Sequence, residues 1–206
     1  MRWMITASGG QYNLDGWAVL GNKVDLQDIA HALAQINRFT GHARRPYSVA
    51  EHSLLAAQIA RELGYGPAVQ LAALMHDAHE AYTGDVSSPV KWTVGPDWAL
   101  FEAEHDKLVA RALGIWAARC AHRKTLKHID LVCLATERRD LLPWDPESSE
   151  PWAILDTPGG EIEPWGEDLT SPARAEASWE DWRQEFLCAA TTLRAQVEAS
   201  IKGGEA

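Results

Sequence analysis

The chain has 206 residues, long enough for one domain with a substantial core, and its 46% hydrophobic and 23% charged residues are typical of globular proteins. A net charge of −10 disfavours a broad surface for the phosphates of duplex nucleic acid, although a metal ion with a few arginines can still bind one small anion. No apolar run is long enough for a signal peptide or a membrane span, and no CxxC pair occurs, so we expect a cytoplasmic protein without a membrane partner.

The first 24 residues predict a small N-terminal arm. Gly9 and Gly10 separate two short apolar runs, as the turn of a β-hairpin would. Asp25 then caps a predicted helix, because apolar residues recur after it with a helical period, at Leu26, Ile29, Ala30, Leu33 and Ile36.

A basic, glycine-containing loop follows at 38–46. Ser48 and Glu51 then form a capping box, in which each side chain bonds the backbone N–H of the other residue, so a helix is predicted from Ser48. Gly64 supplies a stop signal for this helix. His52 lies on its apolar face.

The next helix is predicted to begin at Pro67, because proline suits the first helical turn. It runs through an apolar stretch into the adjacent pair His76 and Asp77. Gly84 and Pro89 are predicted to break it.

Two longer helices are predicted next, over 95–114 and over 118–142, and Asp130 lies on the apolar face of the second. Prolines and tryptophans accumulate from 143 to 177, which disfavours a helix and favours an ordered loop packed over the helical core. A last helix is predicted over 178–202.

Four ionisable residues lie on otherwise apolar helical faces: His52, His76, Asp77 and Asp130. A single buried histidine is more often a hydrogen-bonded core residue, but four such groups on three helices favour a shared site. A buried carboxylate is normally paired or bound to metal, because burying it alone costs several kcal/mol. Two imidazoles and two carboxylates suit Mn²⁺, Co²⁺, Fe²⁺, Zn²⁺ or Mg²⁺, and an octahedral ion would keep further positions for water and a phosphate oxygen. The sequence therefore predicts a divalent-metal site.

These residues and their surroundings resemble the H…HD…D signature of the HD-domain phosphohydrolase superfamily. Residues 48–53, SVAEHS, resemble the first-histidine helix of bacterial HD-domain 5′-deoxynucleotidases, and residues 74–80, LMHDAHE, resemble their central motif. Phage-encoded HD-domain dATP triphosphohydrolases have a similar layout. The resemblance covers about residues 25–142. It implies an all-α bundle of about six helices in a single HD-type domain over residues 1–206.

The resemblance implies four metal ligands, namely His52, His76, Asp77 and Asp130. It assigns catalytic roles to two further carboxylates. Glu80, one helical turn after His76, would orient or deprotonate the attacking water. Asp85 would contact a sugar hydroxyl of a nucleotide. One divalent ion is expected, and His79 is a candidate ligand of a second.

Arg38 is the residue that the resemblance assigns to phosphate binding. Family members often have a tryptophan after this arginine, whereas Phe39 follows it here. The full set of candidate substrate contacts is Arg38, Phe39, His42, Asp85 and Lys91. Independently of the resemblance, arginines of the 38–46 loop offer bidentate donors for phosphate oxygens. We expect Arg44 and Arg45 to be solvated instead.

The resemblance therefore implies a metal-dependent phosphohydrolase that acts on a small (deoxy)nucleotide. It would release phosphate from a monophosphate, or a whole triphosphate. The alternative is a non-catalytic HD protein that binds a nucleotide as a sensor or regulator. Glu80 favours catalysis, because a binding protein does not need a carboxylate that activates water. We also expect a homo-oligomer.

Overall fold

The computed structural model describes residues 2–15 and 17–203 and places most of them in helices. The strands are β1 (Trp3–Ile5) and β2 (Gln11–Asn13). The α-helices are α1 (Leu26–Gln35), α2 (Val49–Glu62), α3 (Pro67–Leu74), α4 (Glu80–Thr83), α5 (Ser88–Val94), α6 (Pro96–Ala112), α7 (Trp116–Ala121), α8 (Arg123–Leu141), α9 (Pro172–Glu176) and α10 (Trp179–Gly203). The predicted all-α class with a short N-terminal hairpin is confirmed. Within the described ranges, no helix has the length and apolarity needed to cross a membrane.

The N-terminal hairpin is fixed to the helices by one aromatic side chain. β1 and β2 pair antiparallel, with Met4 opposite Tyr12. Tyr12 is fully buried and its ring stacks on Tyr82 of α4, with 3.8 Å between the ring centroids. The Tyr12 hydroxyl also lies 3.0 Å from Nδ1 of His105 on α6. The predicted arm is therefore packed against α4 and α6.

Helix α2 lies at the centre of the helical packing and contacts α1, α3, α8 and α10. Small residues make this possible, since Ala50, Ala56 and Ala60 are buried on α2 and allow close approach of the neighbouring helices. One apolar cluster joins α2 to α1, α3 and α10, and a second joins it to α3 and α8. The polar residues in the first turn of α2 are enclosed between these helices.

Both predicted N-caps are confirmed, but the capping box is only half formed. The Asp25 carboxylate accepts from the backbone of α1, and Ser48 Oγ accepts from the Glu51 N–H at 3.1 Å. The Glu51 carboxylate does not accept a hydrogen bond from the Ser48 backbone N–H. It accepts hydrogen bonds from Arg45 and Arg174 instead, so the expectation of a solvated Arg45 is wrong. A guanidinium competes well for a buried carboxylate because both groups are charged.

The third predicted helix ends earlier than expected. α3 stops at Leu74, and His76 and Asp77 lie in the tight turn that leads into α4. The His76 N–H bonds the carbonyl of Ala73 three residues before it, as in a 3₁₀ turn. In a regular α-helix, consecutive side chains point about 100° apart. The break therefore helps His76 and Asp77 to face the same site.

The remaining predicted helices are interrupted at other residues than expected. The helices are therefore shorter and more numerous than the six or so expected. The interpretation of 118–142 as one helix is wrong, because His122 adopts a non-helical conformation between α7 and α8. Pro89, predicted to break a helix, instead lies in the first turn of α5, where proline is tolerated. Helix α9 was likewise not predicted, whereas α10 agrees with the predicted range.

Residues 143–171, hereafter the strap, form the predicted ordered loop over the helical core. Arg138 of α8 holds the strap in place, since its guanidinium lies 3.9 Å from the ring centroid of Trp144. The same guanidinium bonds both carboxylate oxygens of Asp156, at 2.5 and 2.7 Å. Leu155 and Leu169 are fully buried. Aromatic stacking and ion pairing thus hold this segment against α8, although it forms no regular helix or strand.

Candidate metal centre

The four predicted metal ligands lie together in the structure, although they come from α2, the turn after α3, and α8. The Nε2 atoms of His52 and His76 are 3.1 Å apart. Asp77 Oδ2 lies 3.2 Å from His76 Nε2 and 3.5 Å from His52 Nε2. Asp130 Oδ1 lies 3.7 and 3.8 Å from the same two nitrogens. Ligand atoms of His52, His76 and Asp130 thus lie within 4.8 Å of one another, and Asp77 Oδ2 lies beside both histidines.

The Nδ1 atom of each imidazole has a hydrogen-bond acceptor, and this determines whether the Nε2 atom carries a proton. His76 Nδ1 lies 2.7 Å from the carbonyl oxygen of Ala73, and His52 Nδ1 lies 2.5 Å from Glu137 Oε1. A carbonyl and a carboxylate can only accept, so a neutral imidazole at either position carries its proton on Nδ1. The two Nε2 lone pairs then face each other and the carboxylate oxygens. Such a group of acceptors requires a cation, and its nitrogen and oxygen donors fit a divalent metal ion.

The pKa values in this centre show the same preference for positive charge. Burial lowers the pKa of His76, but the carboxylates of Asp77 and Asp130 outweigh burial and raise it to about 10. Burial raises the pKa of Asp77, but the neighbouring histidines outweigh it and hold that pKa well below its usual value. The pocket therefore stabilises a positive charge between these side chains, which a proton or a metal ion can supply.

Glu137 of α8 is a functional candidate that the sequence reasoning missed. It is fully buried, and its Oε1 accepts from His52 Nδ1 and, at 3.0 Å, from the Tyr47 hydroxyl. Its Oε2 accepts from Arg38 Nη2 at 3.2 Å. Glu137 follows Asp130 by seven residues on the same helix, so a second carboxylate on that apolar face was the available signal.

Arg38 lies beside the predicted metal ligands. Its Nη1 is 3.5 Å from Asp77 Oδ2, its side chain is 11% exposed, and its buried Nε has no hydrogen-bond partner in the described part of the chain. The next two residues, Phe39 and Thr40, have positive φ values of 56° and 53°. This conformation costs non-glycine residues about 1–3 kcal/mol each, and such strain concentrates at functional sites. The strained turn fixes the backbone next to Arg38.

The other predicted substrate contacts have different positions. The Phe39 ring lies 5.6 Å from the Arg38 guanidinium carbon. Asp85 is partly buried, and burial, with the charge of Asp77, raises its pKa while Arg38 partly offsets the shift. His42 is exposed, and the structure shows no hydrogen bond or ion pair from its side chain to any described residue. The structure thus brings His42 into no contact with the centre.

A second group of ionisable side chains lies next to the first. One ligand atom from each of His79, Glu80 and Glu102 falls within 4.8 Å of the others. Glu102 was missed, because an acidic residue on the partly exposed helix α6 gives no distinctive signal. Lys91 Nζ lies 2.5 Å from Glu102 Oε1 and already compensates its charge. A second metal ion at His79 therefore stays a prediction.

Glu80 is the carboxylate of this group that can act as a base. It is 3% exposed, and its buried Oε2 has no partner among the described residues. Burial, together with the charges of Asp77 and Asp85, raises the pKa of Glu80 well above its usual value. The charges of Arg38 and Lys91 offset part of this effect. A buried carboxylate with a raised pKa and a free oxygen is typical of a general base.

Comparison with known proteins agrees with this geometry. A model of the HD domain family matches residues 49–135, which include all four predicted ligands. The Uncharacterized protein YfdR of Escherichia coli (strain K12) is 35% identical over 142 residues, which cover 68% of this chain and 73% of that protein. The Uncharacterized protein RCAP_rcc00048 of Rhodobacter capsulatus is 33% identical over 123 residues, or 57% of this chain and 63% of that protein. The matched segment holds the cluster of His52, His76 and Asp130 together with the adjacent Asp77, and the chain belongs to the HD-domain family, whose superfamily consists of metal-dependent phosphohydrolases.

Proposed function

We propose that this protein hydrolyses the 5′-phosphate ester of a (deoxy)nucleotide. The divalent ion would be held by His52, His76, Asp77 and Asp130. The observation that carries the proposal is the convergence of their acceptor atoms next to a buried arginine and a buried glutamate with a raised pKa. When bound, a divalent ion supplies Lewis-acid chemistry, since it offsets phosphoryl charge and acidifies water.

Glu80 takes the proton of the attacking water in this proposal. Its Oε2 is free of partners, and burial makes it a stronger base than an exposed carboxylate. A cation beside Asp77 would lower the pKa of Glu80 again, because it offsets the neighbouring negative charge. Glu80 would then be ionised near neutral pH and ready to accept a proton.

Arg38 binds the substrate phosphate. Its guanidinium is already held beside Asp77, and its buried Nε–H has no acceptor among the described residues. A phosphate oxygen would satisfy that donor with a charge-assisted hydrogen bond. Lys91, partly buried on α5, contributes a second positive charge, and Asp85 accepts from a sugar hydroxyl. Phe39 would line the pocket near Arg38, and His42 would reach substrate only at the exposed rim.

The charges of the site favour a monophosphate over a triphosphate. Most of the arginines that could neutralise further phosphates already pair with carboxylates, namely Arg45 with Glu51, Arg119 with Asp106, Arg138 with Asp156 and Arg174 with Glu51 and Glu167. Lys127 Nζ lies 2.8 Å from Asp130 Oδ2 and Arg38 Nη1 lies 3.5 Å from Asp77 Oδ2, while Lys91 is paired with Glu102. These cations already face carboxylates, and Asp77 and Asp130 would offset the charge of one divalent ion, so little positive charge is left for the additional phosphates of a triphosphate.

A metal-reconstitution assay tests the proposal. Protein stripped with a chelator would be reloaded with Mn²⁺, Co²⁺, Zn²⁺ or Mg²⁺ and offered nucleoside mono- and triphosphates, with phosphate, pyrophosphate and triphosphate separated as products. We expect phosphate release from a monophosphate in the reloaded protein and none in an Asp130→Asn control. Nucleotide binding without turnover, whichever metal is added, would replace the proposal with the regulator alternative.

A further inference from the structure

The carboxylate of Glu137 contacts two different functional parts of the site. Its Oε1 lies 2.5 Å from His52 Nδ1, and its Oε2 lies 3.2 Å from Arg38 Nη2. Glu137 is fully buried, on the side of His52 away from the predicted metal ligands. A fully buried carboxylate is costly unless each oxygen is paired. Besides the Tyr47 hydroxyl, its partners are one predicted metal ligand, His52, and the predicted phosphate donor, Arg38.

His52 is held between two residues of the same helix. Asp130 Oδ1 lies 3.7 Å from His52 Nε2, and Glu137 Oε1 faces Nδ1 on the opposite edge of the ring. These two acidic residues are seven positions apart on α8, about two helical turns, so they share a face. Helix α8 therefore places a carboxylate at each nitrogen of the imidazole, and the hydrogen bond with Glu137 fixes the orientation of the ring.

Arg38 is also held from two sides. Its Nη1 faces Asp77 Oδ2 at 3.5 Å, and its Nη2 faces Glu137 Oε2 at 3.2 Å. Asp77 is itself a predicted ligand, so its charge would be shared with a bound ion. Glu137 faces away from the predicted ligands, so a bound ion would not share its charge. Its contact with Arg38 would therefore remain when an ion is bound. The shorter of the two contacts is the one with Glu137.

We propose that Glu137 is a positioning residue that couples metal binding to phosphate binding, an inference that rests on the proposed ligand set and on Arg38 as the phosphate donor. One oxygen keeps the proton of His52 on Nδ1, so that Nε2 faces the metal position. The other oxygen keeps the Arg38 guanidinium beside that position. Loss of this carboxylate weakens both kinds of binding, although Glu137 contacts neither ligand.

Binding measurements on the full-length protein test the coupling. Zinc affinity would be measured by competition with a chromophoric chelator, and inorganic phosphate affinity by calorimetry on the zinc-loaded protein. We expect Glu137→Gln to weaken zinc binding by about 10- to 100-fold, the usual effect of losing an outer carboxylate partner of a ligating histidine. Phosphate binding should weaken by about 10-fold, because Arg38 loses its anchor. A Glu137→Gln protein that lost zinc affinity but kept wild-type phosphate affinity would refute the coupling.

Three further variants separate the possible failures. Arg38→Gln should weaken phosphate binding without weakening zinc binding, because it removes a positive charge beside the predicted ligand Asp77. Asp156→Asn removes another arginine-paired carboxylate, far along the chain in the strap, and should change neither. Asp130→Asn should abolish tight zinc binding; wild-type affinity in that variant would show that the proposed ligand set is wrong. If Asp130→Asn lost zinc while Glu137→Gln bound zinc and phosphate normally, the role of Glu137 alone would be refuted.

A measurement on the wild-type protein covers the case in which Glu137→Gln does not fold. The ¹⁵N shifts of the zinc-loaded protein report which ring nitrogen of each histidine binds metal. We expect His52 to bind through Nε2 and to carry a proton on Nδ1 that is shifted downfield by its short bond to Glu137. Coordination through Nδ1 would contradict the positioning role without any variant.

Discussion

Replacing Glu51 by glutamine should destabilise the protein strongly, although Glu51 is not a predicted metal ligand. Its carboxylate is fully buried and accepts two hydrogen bonds of 2.7 Å from Arg45 and one of 3.0 Å from Arg174. Both arginines are themselves largely buried, with side chains 12% and 17% exposed. Glu51→Gln keeps the shape of the side chain and the backbone bond to Ser48, but removes the charge that both guanidinium groups face.

The expected loss follows from what each arginine keeps. Breaking a buried ion pair costs about 3–5 kcal/mol, because the remaining charge stays buried without its partner. Arg45 retains the Leu169 carbonyl at 2.8 Å and Arg174 retains Glu167 at 3.1 Å, so we expect the lower end of this range. A loss of about 3 kcal/mol corresponds to a melting temperature lower by about 6–12 °C for a protein of this size.

Urea unfolding followed by tryptophan fluorescence measures this loss, and Glu62→Gln is a matched control. Glu62 also accepts from the strap, at 2.9 Å from Trp165 Nε1, but its side chain is 41% exposed. Its replacement should cost less than about 1 kcal/mol, as is usual for polar pairs at the surface. A Glu51→Gln protein that lost no more stability than the control would refute the reasoning about buried charge.

Three further predictions concern catalysis, substrate binding and pH. Glu80→Gln should keep metal affinity and lower kcat by about 10²- to 10⁴-fold, measured in parallel by chelator competition and by phosphate release. Arg38→Ala should raise KM by about 10- to 100-fold, and Arg38→Lys should restore it only in part because the planar fork of donors is lost. Burial lowers the pKa of His105 below its usual 6.5. The stability that the neutral imidazole provides is therefore complete above pH 6.5 and is lost as the pH falls through the lowered pKa. Between pH 7.5 and pH 5.5 the urea midpoint should decrease more in the wild type than in His105→Gln.

Each of these three predictions has a clear contrary result. Wild-type turnover in Glu80→Gln would exclude its role as the base. Arg44 is the exposed control for Arg38. A larger KM change in Arg44→Ala than in Arg38→Ala would show that phosphate binds at the Arg44 end of the loop. Equal acid sensitivity of the wild type and His105→Gln would show that His105 does not titrate as its buried position requires.

The helix starts were predictable from the sequence because each depends on contacts within a few residues. Asp25 and Ser48 cap the helices that they were predicted to cap, and Pro67 lies in the first turn of α3. Helix α10 likewise follows from its own apolar periodicity. The positions of His52 and Asp130 on apolar faces also follow from periodicity alone, which is why a shared site could be expected.

The partners of the site residues could not be predicted, because they are distant in sequence. Glu137 bonds His52 across 85 residues and Arg38 across 99 residues. Helical periodicity places a residue on a buried face but does not say which residue it meets there. For the same reason the sequence did not show that Glu51 bonds arginines rather than its own helix. The cytoplasmic location, the homo-oligomer, the single-domain boundaries and the substrate remain predictions.

The two arginine contacts of Glu51 also affect the order in which the chain can fold. Arg45 lies six residues from Glu51, but Arg174 lies 123 residues from it, and Arg45 reaches the Leu169 carbonyl across 124 residues. During synthesis, helix α2 emerges long before these C-terminal partners. Contacts of such long range form late and slow folding, because the loop between them must be closed first. Helix α2 therefore cannot reach its final environment until residue 174 and helix α10 are available, and a fragment ending at residue 142 should expose the first-histidine helix to misfolding and aggregation.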